Sequence, residues 1–218
     1  MSGATPRLSL AELLGTQRIL PLVEVEDPEQ AIGLARVLVD HGLPVMEIAL
    51  RTPGALSAIE AVRSSVEGAT VGAGTVLSPD QLSEAASAGA SFAVSPGSST
   101  SLLAASGDSP IPFVPGVATA TELLRVAEEG IREAKFFPAE AAGGAPAVSA
   151  LAAVIPSMRF LPTGGIDAGS APTYLALDHV FAVGGTWMCP AALIREEAWE
   201  EIADRARTVS TIANPGSA

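Results

Sequence analysis

Eight short apolar runs, spaced along the chain with helix-like segments between them, constrain the fold more than any other feature of this sequence. The runs are ILPLVEV (19–25), VMEIAL (45–50), TVGAG (70–74), SFAVS (91–95), IPFVPG (111–116), EAKFF (133–137), RFLPTGG (159–165) and VFAVGG (180–185). Segments rich in Ala, Leu and Glu separate them, and the spacing predicts helices over 28–41, 55–66, 79–88, 99–105, 119–129, 147–154 and 168–176. Asp27-Pro28 and Ser78-Pro79 each offer an N-cap followed by proline at the first helical position. Gly42, Gly89 and Gly130 each follow a helix and suit a left-handed stop. Repeated strand-then-helix units predict parallel strands. Eight of them predict one (β/α)8 barrel domain over 1–218, with extra helices at 8–14 and 196–212. An open doubly wound sheet is the competing topology, and the absence of GxGxxG after the first run weighs against it.

Composition narrows the partners. The formal net charge of −12 argues against nucleic acid and anionic membranes, which need clustered Lys and Arg. Residues 141–158 carry no charge, but Gly143, Gly144, Pro146 and Pro156 make them a loop and a buried helix rather than a span. Residues 1–20 lack the pattern of a signal peptide. A soluble cytoplasmic protein is expected. The single cysteine, Cys189, excludes an internal disulfide, and two histidines are too few for a histidine metal site. No metal or cofactor is expected.

Lys135 is the only lysine of the chain, and it sits in the apolar run EAKFF. An ammonium is costly to bury unpaired. Lys135 is therefore either a lysine whose stem snorkels from a strand end or a functional amine. Burial disfavours the ammonium form, and a free amine can attack a ketone to form a Schiff base. Alternation along VMEIAL turns Val45, Glu47 and Ala49 to one face and Met46, Ile48 and Leu50 to the other. In a barrel Glu47 points inward, as a proton shuttle or as a structural partner of Arg51. Arg51 can hold a substrate carboxylate or form a rim ion pair. Thr75 follows GAG and either presents its hydroxyl to the mouth or caps the next helix. Glycine pairs after the seventh and eighth runs, PTGG and VGGT, match the recurrent phosphate site of such barrels.

EIALRT (47–52), VGAGTVL (71–77), VSPG (94–97), FVPGVAT (113–119), KFFPAE (135–140), FLPTGGI (160–166) and VGGTWM (183–188) together resemble the 2-keto-3-deoxy-6-phosphogluconate (KDPG) and 4-hydroxy-2-oxoglutarate (KHG) aldolase family, over about 15–193. The resemblance implies a metal-free class I aldolase on a (β/α)8 barrel, usually a homotrimer. Such an enzyme cleaves KDPG to pyruvate and glyceraldehyde 3-phosphate in the Entner–Doudoroff pathway. It implies Lys135 as the Schiff-base lysine and Glu47 as the general acid/base. Arg51 and Thr75 are implied at the pyruvyl carboxylate, and Pro96 and Phe137 along the pocket. Thr163 is implied as a substrate contact, with Gly164, Gly165, Gly185 and Thr186 at the distal phosphate. Thr186 stands where the family often has serine, so a hydroxyl is kept and a methyl is added. KHG and the galactonate epimer of KDPG stay open as substrates. A barrel that binds a sugar phosphate without catalysis has no need of a buried lysine beside a carboxylate.

Overall fold

Strands of a parallel sheet covered on both faces need apolar residues at almost every position, and the first two runs supply them. The computed structural model describes residues 8–213. Strands β1 (Ile19–Val23) and β2 (Val45–Ala49) are buried at every position. They are followed by β3 (Thr70–Gly74), β4 (Ala93–Val94), β5 (Phe113–Val114), β6 (Gly116–Val117), β7 (Glu133–Phe136), β8 (Arg159–Pro162) and β9 (Val183–Gly185). All pairings are parallel. The ladders form a six-stranded sheet, β5-β4-β3-β2-β1-β9, and a three-stranded sheet, β6-β7-β8. Bridges between Phe160 and Val180 and between Thr163 and Gly184 join β8 to the β9 segment. The result is an α/β fold around a curled parallel sheet.

The fifth apolar run departs from the expected single strand. It divides at Pro115, which has no N–H to give to a ladder. The Pro115 carbonyl still accepts the Lys135 N–H at 2.8 Å, and Gly116 N–H donates to the Gly97 carbonyl at 3.0 Å. One run thereby serves both sheets.

The helices are α1 (Leu10–Leu14), α2 (Pro28–Asp40), α3 (Ala55–Ser65), α4 (Pro79–Ser87), α5 (Thr100–Asp108), α6 (Ala120–Glu128), α7 (Gly144–Val154), α8 (Ala171–Leu175), α9 (Ala191–Arg195) and α10 (Trp199–Ala213). Asp27 and Ser78 cap α2 and α4, accepting from the N–H groups of Glu29 and Gln81. Gly42, Gly89 and Gly130 take positive φ just beyond α2, α4 and α6. The C-terminal helix expected over 196–212 is α10, and a short helix not expected from the sequence, α9, precedes it. Glu197, with φ 53°, breaks the chain between α9 and α10.

Period-two alternation divides the apolar residues into two cores. Met46, Ile48, Phe136 and Phe160 face the helices. Val45, Phe92, Val114, Leu161 and Phe181 face the interior, where Leu10 and Leu14 of α1 join them. The N-terminal end of α1 is fixed by Glu133, at the start of β7, whose carboxylate accepts the N–H groups of Leu10 at 2.9 Å and Ala11 at 3.2 Å. Gln17 seals the adjoining β1–β2 seam, donating to the Ile19 and Val45 carbonyls and accepting from Val45 N–H. Helix α1 thus covers the N-terminal ends of the strands and leaves the chemistry to their C-terminal ends.

Candidate active site

Glu47 sits at the middle of β2, paired with Leu22 on one side and Gly72 on the other. Lys135 sits on β7, level with Gly116 and Leu161. The two strands belong to different sheets, and their inward side chains meet across the interior. Lys135 Nζ lies 3.6 Å from Glu47 Oε1, with the two side chains only 3% and 2% exposed. Among the described residues Glu47 Oε1 has no hydrogen-bond partner. Nζ also stands 5.4 Å over the Phe137 ring, within cation–π range. Burial pushes the Glu47 carboxyl above the usual carboxylate range; the charge of Lys135 and, more weakly, that of Arg51 pull it back without cancelling the effect. A carboxyl shifted this way keeps its proton to higher pH than an ordinary glutamate, which suits a group that must both give and take one.

The closeness of this pair depends on a glycine. A Cβ on Gly74 would lie 2.6 Å from Glu47 Cδ and Cγ, and closer still to Oε1. The sequence carried this signal in TVGAG, because glycine inside a strand marks a close approach, but it points to no particular neighbour.

Arg51 lies two residues beyond β2. Its guanidinium reaches Glu24 Oε2 at 3.5 Å, and both side chains are about half exposed, at 46% and 47%. Its ion-pair partner is therefore Glu24 on the rim, not Glu47. Thr75 has φ 56°, in the left-handed region that a β-branched residue rarely enters. The backbone holds it there: Leu50 N–H donates to the Gly74 carbonyl at 2.8 Å and Val76 N–H to the Val94 carbonyl at 3.1 Å. Helix α4 takes its cap from Ser78, which leaves Thr75 without that duty. Strain of this kind costs of order 1–3 kcal/mol and clusters at functional sites.

Pro96 packs its carbonyl against Gly116, where a Cβ would collide with it. That places the 95–97 turn beside the strand neighbouring Lys135. Thr163 is buried, with Oγ1 3.3 Å from the Leu161 carbonyl. Its bridge to Gly184 sets the two glycine turns side by side. Gly164 and Gly165 have φ of 103° and 81°. A Cβ on Gly164 would lie 3.1 Å from the Phe137 ring, and a Cβ on Gly165 would lie 2.8 Å from Glu140 Cβ. Gly185 rests against the Trp187 ring. Thr186 is exposed, and its carbonyl accepts Cys189 N–H at 3.1 Å. Gly184, the first glycine of VGGT, was given no role of its own, yet a Cβ there would press Thr163 Cγ2 at 3.2 Å. The structure therefore gathers Lys135, Glu47 and Phe137 in one cluster and sets Thr163 between the two glycine turns, while Arg51, Thr75 and Pro96 each lie just beyond the C-terminal ends of β2, β3 and β4.

Among the described residues no three His, Cys, Asp or Glu side chains gather so as to hold a metal ion. None of the described helices is long and apolar enough to cross a membrane.

The family model for KDPG and KHG aldolase matches residues 10–205. The chain is 42% identical over 201 residues to the KHG/KDPG aldolase of Escherichia coli (strain K12), covering 92% of this chain and 94% of that one. It is 41% identical, with the same coverage, to the 2-dehydro-3-deoxy-phosphogluconate aldolase of Dickeya dadantii (strain 3937). Among solved structures, the KDPG aldolase of Legionella pneumophila, with pyruvate captured as a covalent carbinolamine, superposes with a TM-score of 0.88 at 38% identity, over 91% of this chain and 97% of that one. The aldolase of Zymomonas mobilis ZM4 with 3-phosphoglycerate superposes with a TM-score of 0.85 at 40% identity, over 89% and 91%.

Proposed function

Because this chain belongs to the KDPG and KHG aldolase family, we propose that it is a class I aldolase, a carbon–carbon lyase, that cleaves KDPG to pyruvate and glyceraldehyde 3-phosphate. The observation that carries the reading is the Lys135–Glu47 pair, 3.6 Å apart in a closed interior. The Lys135 amine attacks the C2 ketone to give a carbinolamine. Glu47 gives a proton to the departing hydroxyl, water leaves, and a protonated imine remains. Glu47, now a carboxylate, takes the proton from the C4 hydroxyl as the C3–C4 bond breaks. The electron pair flows into the imine, leaving an enamine on Lys135 and releasing the aldehyde. Protonation of the enamine at C3 and addition of water then free pyruvate and restore the amine.

The rim and the glycine turns bind the two ends of the substrate. Arg51 and Thr75 hold the carboxylate, Pro96 and Phe137 line the path, and Thr163 contacts the chain of the substrate. Gly164, Gly165, Gly185 and Thr186 receive the distal phosphate. Backbone N–H groups suit this task in a strongly acidic chain, because they act over hydrogen-bond range without adding charge. The pyruvate and 3-phosphoglycerate in the two solved relatives support both ends of this assignment. We take the two sheets as one closed (β/α)8 barrel in a single domain over 1–218, in which β5 and β6 make one stave and α1 and α10 are additions. The enzyme works without a cofactor, as a cytoplasmic homotrimer.

Incubation with pyruvate followed by borohydride tests the imine. The expected result is a reduced pyruvyl adduct on the Lys135 peptide, absent in Lys135→Ala. A folded protein that gives no adduct overturns the reading. A second substrate, KHG, is favoured by the name of the Escherichia coli relative. Equal kcat/KM on KHG and KDPG would remove the phosphate role of the glycine turns.

A further inference from the structure

Tyr174 and Glu140 form the shortest side-chain contact near the glycine turns, and the reaction leaves it unused. Tyr174, on α8, is 1% exposed. Its hydroxyl donates to Glu140 Oε1 at 2.6 Å. Glu140 is tied to the phosphate turn by its backbone, since its N–H donates to the Gly164 carbonyl at 3.0 Å. Its stem fills the space beside Gly165, where a Cβ would meet Glu140 Cβ and Cγ at 2.8 Å. A carboxylate on such a stem has two directions open to it. It can lie over the glycine turn, where it would repel a phosphate dianion, or swing away. The structure shows it swung away, toward the start of α7. The Tyr174 hydroxyl is 3.6 Å from where a Cβ of Gly144 would lie, and α7 has no side-chain cap of its own. The positive end of α7 favours a negative charge there. Burial, and then Glu140 itself, hold the Tyr174 phenol well above its ordinary range, so it stays a donor.

We propose that Tyr174 is a specificity-determining positioning residue: its hydrogen bond keeps the Glu140 carboxylate off the Gly164–Gly165 turn, and so lets that turn accept the phosphate of the substrate. This role rests on the phosphate assignment above. Without the hydroxyl, Glu140 is free to sample the turn, and only phosphorylated ligands feel it. Glu140→Gln removes the charge whatever its direction.

The test compares wild type, Tyr174→Phe and Tyr174→Phe/Glu140→Gln on KDPG and on KHG, with inorganic phosphate binding measured by calorimetry. Tyr174→Phe is expected to raise KM for KDPG and the Kd of inorganic phosphate about 10-fold, the order of one charge-assisted hydrogen bond. Its kcat on KDPG and both constants on KHG should stay within about 2-fold, well below that one-bond effect. The double variant should regain wild-type KM for KDPG. Equal losses on both substrates would mean that the pair only props the fold, and would overturn the proposal. So would an unchanged Kd for phosphate, or a double variant that stays impaired. A wild-type protein that neither prefers KDPG nor binds phosphate removes the phosphate turn and this role together. Borohydride trapping on Lys135 would still report on the imine in that case.

Discussion

Replacement of Gly74 by alanine tests the active-site geometry without substituting either reacting side chain. The new Cβ would stand 2.6 Å from Glu47 Cγ and Cδ. Carbon atoms rest at about 3.5 Å, so the glutamate must retreat by about 1 Å. The backbones cannot part instead, because β2 and β3 are paired from Val45–Thr70 through Ala49–Gly74. Gly74 is not among the glycines with positive φ, so the alanine brings no backbone strain of its own. Overpacking of this size costs about 1–3 kcal/mol of stability, which a thermal melt will register. A displacement of about 1 Å at a proton-transfer group costs on the order of 10²-fold in rate. Pyruvate release, coupled to lactate dehydrogenase, should show kcat lower by that factor. Borohydride should still trap pyruvate on Lys135, because the amine itself is unchanged. A folded Gly74→Ala protein with wild-type kcat would refute both the close contact and the proton-shuttling role of Glu47.

Glu47 must be ionised to take the proton from the C4 hydroxyl. Because burial raises the Glu47 carboxyl, the acid limb of kcat/KM should lie above the ordinary glutamate value of 4.5, and activity should fall as pH drops through the raised value. Glu47→Gln should lose that limb and lower kcat by ~10²–10⁴; an acid limb that persists in the variant would assign it elsewhere. Burial pushes the Cys189 thiol up to about 12. It should therefore resist a disulfide reagent at pH 8 in the native protein and react fully in denaturant, and rapid native labelling would contradict the packing described. Glu133→Ala leaves the N–H groups of Leu10 and Ala11 without their acceptor. It should lower stability by about 1–2 kcal/mol, as loss of a helix cap does, and an unchanged urea midpoint would show that α1 is held by Leu10 and Leu14 alone.

The runs that became strands were legible because a sheet buried on both faces leaves a nearly continuous apolar trace. VMEIAL also carried the orientation of Glu47, since Met46 and Ile48 face the helices while Val45 joins the inner core. The break at Pro115 could have been read from proline's missing donor, but not that its two halves would pair with different sheets. Helix ends were less legible where glycine intervened: α7 starts at Gly144, three residues before the expected 147. The Lys135–Glu47 contact was expected only as a shared mouth, because a distance between two strands far apart in the chain has no local trace. Glu24 beside Arg51 and Tyr174 beside Glu140 escaped notice for the same reason. Each joins segments whose sequences show only an ordinary polar residue.

Strand β7 carries Glu133 at one end and Lys135 two residues on, and both point inward. A slip of one residue in its pairing would send both outward and drive Ala134 and Phe136 into the interior. The anchor of α1 and the reactive amine would be lost in the same event. A chain that is nearly folded in this region therefore cannot be nearly active. The fraction of lysine trapped by pyruvate and borohydride becomes a count of correctly registered molecules, and a kinetic reagent doubles as a measure of folding.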